Sequence, residues 1–199
     1  MNSNKTGTVL KDTLGVISFV VLVALGVIFI NAFVFRSFNV EGPSMEKTMF
    51  TGDKLIVNKI PTTIASIQNQ EYVPERGQVI VFKNPEYSLS LVNKNEYIVK
   101  RVVAFPGERV KVIDGDVTVF NKSQPEGFNP DDLTDDTEGS PTSGDVDIKV
   151  PKGAIFVMGD HREGNFSLDS RSGLGTIPYS DIIGPVGIRL FPFQNFRFF

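Results

Sequence analysis

The chain contains no cysteine and a single histidine, His161, and these two shortages narrow its chemistry before any motif is read. Without thiols there is no cysteine protease, no disulfide scaffold and no thiolate zinc site. The absence fits an oxidising exterior but does not by itself assign a compartment. One imidazole cannot build a metal centre of several histidines, and a Ser-His-Asp triad would have to use His161. A basic excess is missing too. The 20 Lys and Arg stand against 23 Asp and Glu, for a net charge of -3, so no nucleic-acid partner is expected.

What the chain does have is a long uncharged run, LGVISFVVLVALGVIFINAFVF, from Leu14 to Phe35. At ~1.5 Å rise per residue it is long enough to cross a hydrocarbon core as a helix. A cleaved secretory signal would have an apolar region of only ~7–15 residues followed by a small-residue cleavage site. Asn31 to Arg36 offers no such site. A buried core helix would be apolar on one stripe, whereas Val, Ile, Leu and Phe occupy every side here. Charge barely orients the span, because Lys5 and Lys11 precede it while Arg36 and Lys47 follow it. The chain thus divides into a short tail (1–13), a transmembrane helix (14–35) and a soluble part (36–199) that must carry any activity.

The soluble part changes period. Short β-type runs separated by Gly, Pro and Asn appear at Phe38–Val40, Lys54–Ile60, Gln78–Phe82, Tyr97–Ala104, Arg109–Ile113, Val117–Phe120, Ala154–Met158 and Ile182–Leu190. The fold class expected is therefore mainly β, one N-terminal transmembrane helix followed by an all-β domain. Asp114-Gly115 suits a type I′ hairpin turn, since both residues tolerate positive φ. No amphipathic helix of useful length is expected. Residues 121–149 read as a loop or insert, with Lys122–Asp147 rich in Asp, Gly, Pro, Ser and Thr, the composition of a solvated excursion. Its carboxylates (Asp131, Asp132, Asp135, Asp136, Glu138) do not match the spacing of an EF-hand calcium loop.

Three segments hold residues able to do chemistry. Ser44 lies in Val40-Glu41-Gly42-Pro43-Ser44-Met45, just after a strand, where Gly and Pro bend the chain and expose a hydroxyl and nearby amides. A serine after Gly-Pro reads equally as a turn residue that caps its own backbone. Alternation along Tyr97–Val103 puts Lys100 on one face with Ile98 and Val102, and Arg101 on the other. Apolar burial disfavours an ammonium, so such a lysine can serve as a neutral general base. An edge-strand lysine whose stem covers apolar surface has the same pattern. The third segment, Met158 to Arg162 followed by Ser167-Leu168-Asp169-Ser170-Arg171, is dense in polar groups after an apolar strand. It can act as a support shell, with a hydroxyl orienting the amine and an Asp169–Arg171 ion pair stiffening the turn, or be an ordinary Asp/Ser/Gly turn.

In this order and behind this helix, the three segments resemble the type I signal peptidases, serine-lysine proteases that remove signal peptides from exported proteins. Ser44-Met45 with Thr48-Met49 resembles their S-M-x-P-T-L box, and Arg76-Gly77-Gln78-Val79-Ile80-Val81-Phe82 their R-G-D-x-V-x-F strand. Lys100-Arg101-Val102 through Pro106-Gly107-Glu108 is similar to K-R-V-x-G-x-P-G-D, and the final cluster to G-D-N-R-x-x-S-x-D-S-R. Departures from the pattern are Lys47 for proline, Ala104 for glycine, His161 for asparagine, and a last box two residues longer between Arg162 and Ser167. The resemblance implies Ser44 as nucleophile and Lys100 as general base, with Ser167, Asp169 and Arg171 in support and the Ser44 amide in the oxyanion site. Gly42 stands where some members supply a further hydroxyl donor. It also implies Val40, Met45, Met49 and Val99 as walls of a pocket for a small side chain. No metal and no other cofactor is required. The implied partners are exported precursors with signal peptides and the lipid bilayer, with the catalytic domain on the extracytoplasmic side of the cell membrane.

Three other readings compete. One is a signal-peptidase-like assembly factor that binds membrane precursors with weak or no cleavage, which the departures keep in play. A second makes His161 the base of a conventional triad with Asp169. A third, a soluble Ser-Lys self-cleaving repressor-type protease, conflicts with the apolar helix.

Overall fold

A computed structural model of the chain describes residues 3–85, 96–134 and 141–199. The first helix, α1 (Ser3–Phe33), starts well before the uncharged run and ends two residues short of its expected end at Phe35. Its segment Lys11–Phe33 is long and apolar enough to cross a membrane, and none of it is buried against the rest of the protein. Phe35 instead opens β1 (Phe35–Asn39), where alternating burial takes over from helical periodicity.

Strands β2 (Lys54–Asn58), β3 (Val79–Lys83), β4 (Tyr97–Ala104), β5 (Arg109–Ile113), β6 (Asp116–Phe120), β7 (Val146–Lys149), β8 (Ala154–Met158), β9 (Ile177–Pro178), β10 (Ile182–Phe191) and β11 (Arg197–Phe198) follow. They form two antiparallel sheets, an eight-stranded one in the order β1-β2-β10-β3-β4-β8-β9 with β11 on β10, and a three-stranded one, β6-β5-β7. This matches the mainly β class expected from the alternating runs. β10 binds the large sheet together, since Ile182–Pro185 pairs with β3 while Val186–Phe191 pairs with β2. Gly184 makes that change of partner possible: a Cβ there would lie 2.2 Å from the carbonyl oxygen of Asn58. The β5–β6 hairpin turns at Asp114 (φ 52°) and Gly115 (φ 92°), the two positive φ values that a type I′ turn requires.

Three elements depart from the sequence reading. The run expected as a strand to Ile60 stops at Asn58 and continues as a short helix, α2 (Ile60–Ile67), with Pro61 at its start. Eight residues are too few for helical periodicity to stand out from a β-branched run. α2 is bolted to the end of α1: the Lys59 amide donates to Val34 O, its ammonium to Asn31 O and Ala32 O, and the Thr63 hydroxyl to Phe33 O. These bonds fill the carbonyls that a helix end leaves unpaired.

The expected solvated excursion is in part folded. Phe128 packs against the small sheet, Val146–Lys149 forms β7 beside β5, and a 3-10 turn spans Pro130–Leu133. Asp131 in that turn accepts two hydrogen bonds, of 2.7 and 2.6 Å, from the buried Arg162 guanidinium, so it is one arm of an ion pair. Composition flagged polarity but could not anticipate this distant cation. Asp135, Asp136 and Glu138 lie outside the described residues. The short strands β9 and β11, two residues each, carry too little pattern to be read from sequence.

Three apolar clusters fill the interior. One is centred on Phe82, Ile155 and Ile177, one on Val110, Val119 and Phe156, and one on Met45, Met49, Leu55 and Val186. The third lies under the segment that carries Ser44.

Candidate active site

Ser44 is held by what flanks it. Val40 closes a two-way backbone pair, its amide on Asp53 O and its carbonyl on Gly52 N, both 2.9 Å. Gly42 turns the chain at φ 86°, a conformation that costs other residues strain. Beyond the serine, Met45 and Met49 are fully buried and joined by a 2.8 Å bond from Met49 N to Met45 O. They anchor the segment from below. Among the described residues the Ser44 amide donates to no acceptor, so it is open to a developing oxyanion.

Lys100 reaches Ser44 from β4, in register with Ile80 of β3. Its side chain is the expected inward one and only 3% of the residue is exposed. The Nζ donates to Ser44 Oγ at 2.7 Å and to the Val99 carbonyl at 2.8 Å. Burial is the main reason its pKa falls from 10.5 to about 8; the negative charges of Asp169 and Asp160 pull it up, and Arg171 pushes it down. At that value about a tenth of the amine is neutral at pH 7. The neutral form can accept a proton along the same 2.7 Å line.

The polar cluster after β8 gathers on Asp169, which is fully buried. Its carboxylate accepts from the Gly159 amide (3.0 Å), the Ser167 hydroxyl (2.7 Å) and the Arg171 backbone and guanidinium (2.7 to 3.0 Å). Burial alone would raise the Asp169 pKa, but the bonds and charge of Arg171, with the Gly159 amide and Ser167 hydroxyl, outweigh it and hold the carboxyl below its ordinary value. The expected Asp169–Arg171 pair is thus formed. The hydroxyl expected to orient the amine is differently employed: Ser167 donates to Asp169, while Lys100 is steered by the Val99 carbonyl.

Gly159 admits no side chain. A Cβ there would sit 2.2 Å from Ser167 Oγ and 2.3 Å from the Ser44 carbonyl oxygen. The neighbouring His161 amide donates to that same Ser44 oxygen at 3.1 Å, tying the loop to the serine segment. The His161 ring does not complete a triad. Its Nδ1 lies 3.2 Å from the Pro43 carbonyl, its face stacks on Phe166, and Asp169 is committed elsewhere.

Sequence reasoning missed the part played by Arg101. Its guanidinium bonds both oxygens of Asp160 at 2.8 and 2.6 Å and the Gly77 carbonyl at 2.7 Å, and Thr48 Oγ1 donates to the same carboxylate. This network fastens the segment behind Ser44 to the end of β8. A charged residue beside Lys100 on the opposite, equally apolar face of β4 was the available signal.

A cleft of about 470 Å³ opens over the pair. Phe38 and Val40 wall one side and Tyr97 and Val99 the other, with Phe166 and Leu168 at the end nearest the loop. Val40 and Val99 therefore line the cleft. Met45 and Met49 do not: both side chains point into the cluster beneath, because the turn after Pro43 sends them to the core.

The chain is matched over residues 13–191 by the family model described as signal peptidase, peptidase S26. It is 31% identical over 198 residues to "Signal peptidase I" of Bacillus licheniformis, covering 98% of this chain and 96% of the relative. To "Signal peptidase I" of Bacillus amyloliquefaciens it is 34% identical over 180 residues, covering 89% of this chain and 84% of the relative. A crystal structure of a signal peptidase I from Enterococcus faecalis shares 23% identity, with a TM-score of 0.42 over 57% of this chain and 96% of the other. With a family model spanning most of its length and relatives above 30% identity along nearly all of it, the chain belongs to the signal peptidase family, peptidase S26, hydrolases of the signal peptidase I type.

Proposed function

We propose that the chain is a membrane-anchored serine endopeptidase that cleaves signal peptides from exported precursors, with Ser44 as nucleophile and Lys100 as general base. The observation that carries this is the buried Lys100 amine, its pKa lowered to about 8, at hydrogen-bond distance from Ser44 Oγ. In the first half-reaction Ser44 Oγ attacks the scissile carbonyl while Lys100 takes its proton, and the oxyanion forms against the Ser44 amide. The lysine then protonates the leaving amine as the C–N bond breaks, leaving an ester on Ser44. In the second half, water gives a proton to the neutral amine as it attacks the ester, and Ser44 regains its hydrogen as the acid is released.

The amine works only when deprotonated. Its pKa is lowered to about 8, so kcat/KM for a precursor peptide should rise with pH and level off above that value. A lysine with its ordinary pKa would place the limb near 10.5. The measurement is a pH profile of cleavage by the detergent-solubilised full chain, with Ser44→Ala as blank. Binding of the peptide without Ser44-dependent cleavage at any pH would sink the proposal and favour an assembly factor.

Anchoring follows from α1, and α2 is the second contact with lipid in this reading. Its Ile60, Ile64 and Ile67 share one face and are 40%, 48% and 77% exposed, although α2 is fixed to the last carbonyls of α1. Roughly eleven residues from Phe33 to Ser44 span at most ~40 Å, so the nucleophile stays near the bilayer that holds an apolar signal peptide. The chain has no tryptophan, so one placed at Ile67 reports alone. In vesicles of brominated lipid, Ile67→Trp should be quenched, and Asp116→Trp, at an exposed position of β6, should not. Equal quenching of the two would remove α2 from the interface.

A further inference from the structure

The lengthened segment between Arg162 and Ser167 is not used by the chemistry above, yet it ends in a side chain that lines the cleft. Phe166 is 56% exposed there and stacks on the His161 ring at a centroid distance of 4.5 Å, with the planes 22° apart. His161 is itself fixed, by its amide on the Ser44 carbonyl and its ring beside the Pro43 carbonyl. The loop is tied down at a second place: the Gly164 amide donates to Ser143 Oγ at 2.7 Å, and the Ser143 amide to Arg162 O at 3.0 Å. Gly164 turns at φ 55°, with the Phe166 ring 3.3 Å from where its Cβ would be. One face of the phenyl ring is thus held by imidazole, and the ring sits in a loop anchored at both ends.

Register decides which part of a substrate would meet it. β8 pairs with β4 only from Arg101 onward, so among the described residues no strand pairs with that edge of Tyr97–Lys100 along the cleft. An extended peptide following that edge reaches Lys100 and then runs into the loop that leaves β8 at Gly159. Past Ser44 its way out lies over Phe166 and Leu168, the latter 40% exposed.

We propose that Phe166, propped by His161, is a specificity-determining residue that favours an apolar side chain on the first residue after the scissile bond, the new N-terminus of the mature protein. This rests on the Ser44/Lys100 reading. A ring that touches that side chain but no reacting atom contributes to binding, so its loss should raise KM and leave kcat nearly unchanged.

The test uses the full chain in detergent and two precursor peptides that differ only in that residue, leucine or serine. The native chain should prefer leucine by about fivefold to tenfold in kcat/KM, the size of an aromatic or apolar contact beyond area alone. Phe166→Ala should reduce the preference to about twofold or less through KM, on the scale of the same contact. Phe166→Tyr should keep it, and His161→Ala should lower it in part by freeing the ring. Preference that survives in Phe166→Ala, or its absence in the native chain, overturns the assignment while Ser44-dependent cleavage leaves the protease reading standing. A chain that cuts neither peptide in a Ser44-dependent way overturns both.

Discussion

Replacing Lys100 by methionine should abolish cleavage and leave the chain folded and more stable at pH 7. The activity loss expected is about 10³-fold or more, since a positioned general base contributes ~10²–10⁴-fold and Lys100 is the one base bonded to Ser44 Oγ among the described residues. Lys100→Arg should not rescue, because a guanidinium stays charged. The stability gain follows from the sign of the shift. Burial lowers the lysine pKa to about 8 in the folded chain, whereas the unfolded side chain titrates at 10.5. The lysine's contribution to stability is therefore full above its unfolded value and is lost as pH falls through about 8. At pH 7 the fold carries a buried ammonium, at a cost on the order of 3 kcal/mol for a shift of this size. Methionine fills similar volume without that charge. Thermal unfolding of the native chain and Lys100→Met across pH 7 to 10 checks it: the native Tm should climb toward that of the variant as the amine deprotonates. A variant less stable than the native chain at pH 7 would mean that the bonds to Ser44 and Val99 outweigh desolvation.

Asp169→Ala should be the most destabilising single change near the site. It leaves the Arg171 guanidinium, whose side chain is 4% exposed, with backbone carbonyls but no counter-charge, and takes the acceptor from the Gly159 amide and the Ser167 hydroxyl. Breaking one side of a buried pair costs about 3–5 kcal/mol, and a chain of this size should lose about 10 °C in Tm. The native carboxyl is held below its ordinary value, so its stabilisation is complete above that value and disappears as pH falls through the lowered one. The gap between native chain and variant should therefore close in strong acid. The milder Asp169→Asn separates support from electrostatics. Asp169 raises the Lys100 pKa, so its neutralisation should move the rising limb of the cleavage profile to lower pH. A role in folding alone would leave the limb where it is.

Both predictions concern groups that were visible one at a time in the sequence. Lys100 stood out because alternation set it among apolar residues, and Ser44 because Gly42 and Pro43 bend the chain. Their proximity was not visible. It depends on the β3–β4 register and on two methionines that pin the turn, facts with long sequence separation. The same limit explains the misplaced pocket walls. Met45 and Met49 follow the serine closely, but a tight turn rather than a strand carries them, so strand alternation gave no guide to where they point. Ser167 shows the reverse case: the residue was identified, but that its hydroxyl bonds the Asp169 carboxylate is set by the path of the loop after β8. The Asp131–Arg162 pair inside a segment read as solvated belongs here as well, since a charge looks exposed until its counter-ion is located.

The amino-acid sequence alone determined the apolar span, the β-rich class and the residue types able to react, because each is written in local periodicity and composition. Only the tertiary structure decided which of them meet, what burial does to the lysine, and that the loop after β8 places Phe166 on the cleft. Those outcomes depend on through-space distances of a few ångströms between segments far apart in the chain, and local pattern does not encode them.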